Sequence, residues 1–340
     1  MRQYSKPERE KRGQVPFLQG NDKKKGPIPF FLSAIFLTLT LGELCQGAQQ
    51  QEVFRFGVEV RTVFIDVFVS RNGNPVTGLT ASDFEIRDDG FRQELDLVDP
   101  QDVYLSAMLI LDTSASLSGP KLTHLRKGAH AFLERLKKKD EAGLMVFNQY
   151  CQLRQPIGAD LRLLHESLDQ PVRGGYTSLH DALYSGLKLV GKANGRPMVV
   201  LFTDGQDNSS WLSERDLLDC ARESEAIVHA IGIRSPTEPS PEDKPAQKAS
   251  QSSGSLDRAE SLLRAITGIT GGRDWYADSS AGLEQVFLQV LEEMETRYLL
   301  RYQLTGAPKE GWHELEVKLK KRNGETIRAR PGYMVTPATN

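Results

Sequence analysis

The chain has 340 residues, with 43 Lys and Arg against 45 Asp and Glu, and a formal net charge of -2 at pH 7. Proteins that bind nucleic acid carry a basic excess to match the phosphates, so this balance predicts no nucleic-acid partner. The length is sufficient for two domains of ordinary size.

The amino terminus has the pattern of a targeting segment. The first 27 residues are polar and basic, and residues 28–41 are apolar. This order is typical of a secretory signal, and the small residues Gly47 and Ala48 offer a cleavage position. The apolar stretch is shorter than the roughly 20 residues that span a bilayer, but an uncleaved membrane anchor at residues 28–42 is the alternative. Both alternatives place the targeting segment within residues 1–50 and predict a secreted or periplasmic location for the rest of the chain, which would contact a membrane only through this segment if it is not cleaved.

The 3 cysteines are too few for a disulfide scaffold. A lipid anchor at Cys45 is disfavoured, because Leu44 stands where a small residue is expected. Cys151 and Cys220 are predicted to be buried thiols that pack as small hydrophobic residues, and not to form a bridge.

Residues 51–101 have the alternation of β-strands. Val and Ile recur at every second or third position between residues 58 and 69, and shorter strand patterns follow at 84–87 and 94–98. Asn-Gly and Asp-Gly turns separate them. We expect a small antiparallel β unit.

Strand patterns return near the carboxyl terminus, in residues 298–340. They lie at 298–304, 313–320 and 326–329. Since neither β segment has enough strands to bury two faces alone, we hypothesise that 298–340 packs with 51–101 as one β-sandwich-like domain. Residues 102–297 would then be inserted between the two segments.

Within 102–297, continuous apolar runs alternate with amphipathic helical patterns. An apolar run without alternation indicates a strand that is buried on both faces. The rhythm predicts an α/β fold with a doubly wound parallel sheet. Residues 235–255 are rich in Pro, Ser, Glu and Lys, which favours a flexible insertion.

Polar side chains follow the apolar run at 105–112. Asp112, Ser114 and Ser116 place one carboxylate and two hydroxyls at every second position directly after a predicted buried strand. Such oxygen ligands suit hard cations such as Mg²⁺. The plainer alternative is a strand end followed by a Ser-rich turn and a helix cap.

Two later loops offer further oxygen ligands. Thr177 lies in the sequence Gly-Gly-Tyr-Thr-Ser at 174–178, and Asp204 ends the apolar run at 198–204. Open α/β sheets bind ligands at the carboxyl ends of their strands, where these residues are expected.

Together these residues resemble the von Willebrand factor type A domain and its metal-ion-dependent adhesion site. The family pattern is Asp-x-Ser-x-Ser, then a loop Thr, then an Asp after a later strand. Residues of the required type occur here in the same order: Asp112, Ser114, Ser116, Thr177 and Asp204. The resemblance implies direct ligation of Mg²⁺, or of Mn²⁺, by the Ser hydroxyls and by Thr in the ligand-competent state, with the Asp residues acting directly or through water.

A second resemblance lies in the leader of the predicted β unit. The patterns Gly-x-Pro-Val-x-Gly-Leu-x-x-x-Asp-Phe at 73–84 and Asp-Gly-x-x-Gln at 89–93 are similar to a bacterial, secreted subgroup of these proteins. The first resemblance, to the metal-ion-dependent adhesion site, implies an adhesion or interaction module, not an enzyme, whose cation binds an Asp or Glu carboxylate of a partner protein.

Two alternatives remain open. An envelope assembly or chaperone-like factor would use the same metal face. A Mg²⁺-dependent hydrolase would use Asp112 and Asp204, but glycine-rich nucleotide loops are absent from the sequence. His180, beside Thr177, lacks a positioned nucleophile in the sequence and is better explained as a packed residue.

Overall fold

A computed structural model describes residues 61–99, 102–172, 174–203, 207–233, 252–304, 309–321 and 323–335. All of them belong to one compact unit, Phe56–Asn340. The predicted signal or anchor within residues 1–50 lies outside the described residues.

Fifteen strands and six α-helices lie in the described ranges. The strands are β1 (Arg61–Arg71), β2 (Asn74–Pro75), β3 (Phe84–Asp88), β4 (Phe91–Arg92), β5 (Asp96–Val98), β6 (Leu105–Asp112), β7 (Glu141–Phe147), β8 (Cys151–Gln155), β9 (Arg196–Phe202), β10 (Ile227–Ile233), β11 (Arg273–Ala277), β12 (Tyr298–Leu304), β13 (Gly311–Leu319), β14 (Thr326–Arg328) and β15 (Gly332–Val335). The helices are α1 (Pro120–Arg135), α2 (Leu161–Asp169), α3 (Leu179–Val190), α4 (Glu214–Glu223), α5 (Ser252–Thr270) and α6 (Leu283–Glu295).

The central sheet has the order β11-β10-β9-β6-β7-β8. Neighbouring strands are parallel from β11 to β7, and β8 is an antiparallel edge strand. Every residue of β6 is buried, which explains its unbroken apolar sequence. Leu109 and Leu111 pack on one face with α1, α2 and α6, whereas Met108 and Ile110 pack on the other with α3, α4 and α5. This arrangement confirms the predicted doubly wound α/β fold.

The flanking strands form two smaller sheets. One has the order β14-β1-β12-β5, with β2 beside β1, and the other has the order β15-β13-β3-β4. Their apolar side chains share one core, which includes Ile65, Ile86, Leu300 and Leu315. We call this pair of sheets the sandwich.

The strands of residues 61–99 are divided between these two sheets. β1 and β3 lie in different sheets, and the longest partner of each comes from the carboxyl-terminal segment: β12 for β1 and β13 for β3. Each strand has one apolar face, and that face is covered by the opposite sheet. β15, which the sequence analysis did not predict, closes the edge of the second sheet.

α1 ends at Arg135, and Leu136 is extended with ψ 141°, so the lysine run at 137–139 lies in a turn beyond the helix. The Lys137 N–H donates to Asp140 Oδ2 at 2.9 Å, which fixes that turn. α5 begins at Ser252, inside the predicted insertion 235–255, and residues 234–251 lie outside the described ranges.

A buried charge cluster joins α6 to the sandwich. Glu293 of α6 accepts a hydrogen bond from Arg297 at 2.7 Å and pairs with Arg328 of β14. Burial lowers the pKa of the neighbouring His229 to about 3, so its ring is neutral at pH 7. Burial opposes ionisation of Glu293 as well, but the surrounding positive groups outweigh burial and lower its pKa to about 2. The helix end is therefore held to the sandwich by a desolvated ion pair.

Cys151 and Cys220 are free thiols. Cys220 is buried, as expected, but Cys151 is exposed on the edge strand β8, so the prediction of burial was wrong for Cys151. Among the described residues, the helices are too short or too polar to cross a bilayer.

Candidate functional site

The candidate site begins where β6 ends. Asp112 is fully buried at the last position of the strand. Its Oδ1 accepts the Ser114 N–H at 2.8 Å, and its Oδ2 accepts the Thr203 hydroxyl at 2.9 Å. These two bonds fix the plane of the carboxylate and tie the end of β6 to the end of β9.

The two serines bring their hydroxyls together. Ser114 Oγ and Ser116 Oγ lie 3.1 Å apart. Ser114 is 2% exposed, and Ser116 is exposed at the surface. The three oxygen-bearing side chains predicted from the Asp-x-Ser-x-Ser pattern are thus gathered at one strand end.

Thr177 lies in the loop before α3. That loop contacts the loop of Ser114 and Ser116, which we call the serine loop. The Ala115 N–H donates to the Gly175 carbonyl at 3.1 Å. A Cβ on Gly174 would lie 3.0 Å from Ala115 Cα, so glycine permits this close approach. Thr177 itself is 4% exposed. The two loops therefore form a single edge of the site.

Asp204, the fifth predicted ligand, lies outside the described residues. Its neighbour Thr203 is described, and the hydroxyl of Thr203 reaches Asp112 as stated above. The assignment of all five residues as metal ligands stays a prediction.

Residues that the sequence analysis did not single out hold the Thr177 loop in place. Asn208 Oδ1 accepts the Thr177 N–H at 2.8 Å, and the Asn208 N–H donates back to the Thr177 carbonyl at 3.0 Å. The Ser178 N–H donates to the Asn148 carbonyl at 2.8 Å. The polar sequence after β9 is the feature from which a supporting role of Asn208 could have been predicted, because Asn side chains commonly form hydrogen bonds with backbone groups in turns.

Asp181 and Asp207 bind backbone groups and not the site oxygens. Asp207 Oδ1 accepts the Leu179 N–H at 2.8 Å, which caps α3 from another loop. Asp181 accepts the Trp211 and Leu212 N–H groups at 3.0 and 2.9 Å. Asp181 therefore holds the loop after β9 against the first turn of α3.

His180 is a packed residue, as the sequence analysis favoured. Its Nδ1–H donates to the Leu212 carbonyl at 3.0 Å. The ring therefore helps to hold the loop between β9 and α4.

A second cluster of potential metal ligands lies in the sandwich. It consists of Asp88, Asp89 and His313. His313 donates from Nδ1 to Asp88 at 2.9 Å and from Nε2 to the Lys309 carbonyl at 2.7 Å. The hydroxyls of Tyr302 and Tyr333 each donate to Asp88 Oδ2 at 2.7 Å. Burial alone would lower the pKa of His313, but the bonds to Lys309 and Asp88 outweigh burial and raise it. With both ring nitrogens donating, His313 and Asp88 form a buried ion pair, and Asp89 lies beside it at the surface.

Residues 108–287, more than half of the chain, match the family model described as von Willebrand factor type A domain. No curated protein matches the chain. Many solved structures resemble it in fold. A von Willebrand factor type A protein from Catenulispora acidiphila is 12% identical, with a TM-score of 0.47, and the match covers 82% of this chain and 74% of that one.

Two further solved structures resemble the chain over a shorter range. Proximal thread matrix protein 1 from the mussel byssus, solved with a zinc-occupied MIDAS motif, is 15% identical with a TM-score of 0.44, over 56% of this chain and 48% of that chain. The type V pili tip protein Mfa5 from Porphyromonas gingivalis is 10% identical over its vWF domain, with a TM-score of 0.43, over 56% of this chain and 94% of that one. This chain thus spans about half the length of the mussel protein.

Proposed function

Since this chain belongs to the von Willebrand factor type A family, whose domains mediate protein–protein interaction, we propose that it is an extracytoplasmic module that binds a partner protein through a divalent cation. One observation carries the proposal. Asp112, Ser114 and Ser116 gather at the carboxyl end of β6, and the loop of Thr177 is hydrogen-bonded to the serine loop. The partner would supply an Asp or Glu carboxylate.

The donor set fits a hard cation. We propose that five residues hold Mg²⁺, or Mn²⁺ in its place: Asp112, Ser114, Ser116, Thr177 and Asp204. Carboxylate and hydroxyl oxygens are the ligands that these ions select. Asp112 already accepts two hydrogen bonds, which orient it toward a fixed position beside the serines.

The chemistry that such an ion supplies is a positive charge with a coordination position open to an outside carboxylate. This chain's residues set that position. Three of the five proposed ligands are neutral hydroxyls, which would donate to the ion more weakly than carboxylates and would leave it able to accept a carboxylate from a partner. Because Ser116 is exposed while Ser114 and Thr177 are buried, a partner would approach the site from the side of Ser116.

The location and the bacterial, secreted subgroup are also proposals. They rest on the basic and apolar amino-terminal sequence and on the pattern at residues 73–93. An assembly factor for envelope proteins would use the same face, and stoichiometric recovery of one envelope enzyme with the chain would favour that role. Domains of this family are in general not enzymes. Turnover of a phosphate or peptide substrate that disappears in Asp112→Ala would support the hydrolase alternative instead.

The binding step is testable with Mn²⁺ and acetate. Water-proton relaxation reports the water molecules coordinated to protein-bound Mn²⁺, and acetate should lower it by displacing water. Ser114→Ala should weaken Mn²⁺ binding because it removes a proposed ligand. Ser118→Ala removes an exposed hydroxyl from the same loop and should behave as the wild type. Relaxation that acetate leaves unchanged in the wild type, with Mn²⁺ bound, would contradict carboxylate capture.

A further inference from the structure

Three exposed aromatic side chains lie in loops at the same sheet edge as the candidate site. Tyr150 is 66% exposed, Tyr176 is 68% exposed and Trp211 is 97% exposed. They follow β7, precede α3 and follow β9, respectively. Because β6, β7 and β9 are parallel, their carboxyl ends meet at one edge. We call these three residues the aromatic rim.

The backbone beneath each ring is fixed. The Tyr150 N–H donates to Asn148 Oδ1 at 2.9 Å, and the Tyr176 N–H donates to Gln149 Oε1 at 3.1 Å. The Trp211 N–H donates to Asp181 at 3.0 Å. The rings therefore stand in water on ordered loops, so a partner that binds them pays little for ordering the backbone.

The rim shares its loops with the candidate metal ligands. Tyr176 directly precedes Thr177, and Asn148, two residues before Tyr150, accepts the N–H of the residue after Thr177. Asp181, which holds the Trp211 loop, lies in the first turn of α3, four residues beyond Thr177. A partner group seated beside Ser116 and Thr177 would meet these rings at its flanks.

The charged side chains of these loops indicate what charge the partner carries. The described residues 148–150, 174–178 and 207–213 contain no Lys or Arg. Their two acidic groups, Asp207 and the neighbouring Asp181, are occupied by backbone N–H donors. The described parts of these loops therefore offer an anionic partner no attraction besides the proposed cation. One carboxylate is complementary to this face, and a run of acidic residues is not.

We propose that the aromatic rim is the docking surface for an exposed protein loop in which a single Asp or Glu is flanked by apolar side chains. This inference rests on the proposed function, since the cation binds the carboxylate. Exposed aromatic residues dominate binding energy at protein interfaces because they bury large areas at a small entropic cost. Trp211, almost wholly exposed, has the largest surface to bury.

The test uses the full chain and disulfide-closed peptides displayed on phage. Each peptide has a central Asp and randomised flanks, and selection in Mg²⁺ ends with elution by chelator. The expected peptides keep the Asp and are enriched in aromatic, Leu, Met and Pro flanks. Trp211→Ala and Tyr176→Ala should weaken their binding roughly tenfold each while Mg²⁺ affinity stays unchanged.

The matched control is Phe91→Ala. Phe91 is 75% exposed but lies on β4 in the sandwich, so its removal should not change peptide binding. Chelator-eluted peptides with charged flanks, or undiminished peptide binding by Trp211→Ala, would refute the aromatic rim as a docking surface without contradicting the proposed metal site. Failure to recover any peptide while Mg²⁺ binds would also overturn the rim. Absence of Mg²⁺ binding would refute the proposed function itself.

Discussion

Glu293→Gln should destabilise the protein strongly, although the substitution keeps the size of the side chain. Glu293 is 3% exposed, and it neutralises Arg297, which is 1% exposed, together with Arg328. Removing one partner of a buried ion pair costs about 3–5 kcal/mol, because a charge is left desolvated and unpaired. Since the Gln carbonyl can still accept the Arg297 hydrogen bond, we expect the lower end, about 3 kcal/mol. For a cooperative unit of this size, that corresponds to a fall in melting temperature of roughly 5 °C.

The measurement is urea and thermal unfolding of Glu293→Gln beside Glu292→Gln, the same substitution at the adjacent, exposed position. Glu292→Gln should change the free energy of unfolding by less than about 0.5 kcal/mol. Because the pKa of Glu293 is lowered to about 2, its contribution is present above the unfolded pKa and is lost as the pH falls from about 4.5 toward 2. The two variants should therefore converge in acid. Equal stability of both variants at pH 7 would refute the role of the buried charge.

Further predictions concern the sandwich and the tight loops. The pKa of His313 is raised, so the stabilisation that its charge provides is present below the unfolded pKa of about 6.5 and is lost as the pH rises through the folded pKa. His313→Gln should therefore flatten the dependence of the free energy of unfolding on pH in this range and lower that free energy by about 1–3 kcal/mol at pH 6. Gly272→Ala should have a lower melting temperature than Gly268→Ala. A Cβ at Gly272 would lie 1.8 Å from a carbonyl oxygen of β10, whereas a Cβ at Gly268 would meet nothing within 4 Å. Equal melting temperatures of the two variants would contradict this prediction. Gly174→Ala should reduce Mg²⁺ affinity in calorimetry, since its Cβ would lie 3.0 Å from the backbone of the serine loop, and unchanged affinity would show that the loop can yield.

The strand ends of the central sheet were predictable because their signals are local. The apolar run of β6 and the Asp-x-Ser-x-Ser pattern after it specify a buried strand and its polar end without any information on distant contacts. The same holds for β12, whose observed bounds, Tyr298–Leu304, equal the predicted ones. The parallel order then brings the loops of Ser114 and Thr177 to one edge.

The pairing of individual strands across a large distance in sequence was not predictable, although the packing of 51–101 with 298–340 was hypothesised. β1 and β3 lie close together in the chain, but the strand pattern specifies only which face is apolar, and their main partners lie more than 200 residues away. The support from Asn208 and Asp207 escaped prediction for the same reason. Their polar run indicates a turn, whereas the backbone groups that they bind belong to the loop before α3.

The central claim is a working metal site at Asp112, and calorimetric titration of the full chain with Mg²⁺ tests it most directly. Asp112→Asn preserves the size of this buried side chain and removes its charge. Asp160→Asn is the matched control, because Asp160 caps α2 by accepting the Arg162 N–H at 2.8 Å, a bond that Asn can also accept. The account predicts one Mg²⁺ site in the wild type and in the control, and its loss in Asp112→Asn with the fold retained. No Mg²⁺ binding in the wild type, or equal binding in Asp112→Asn, would contradict it.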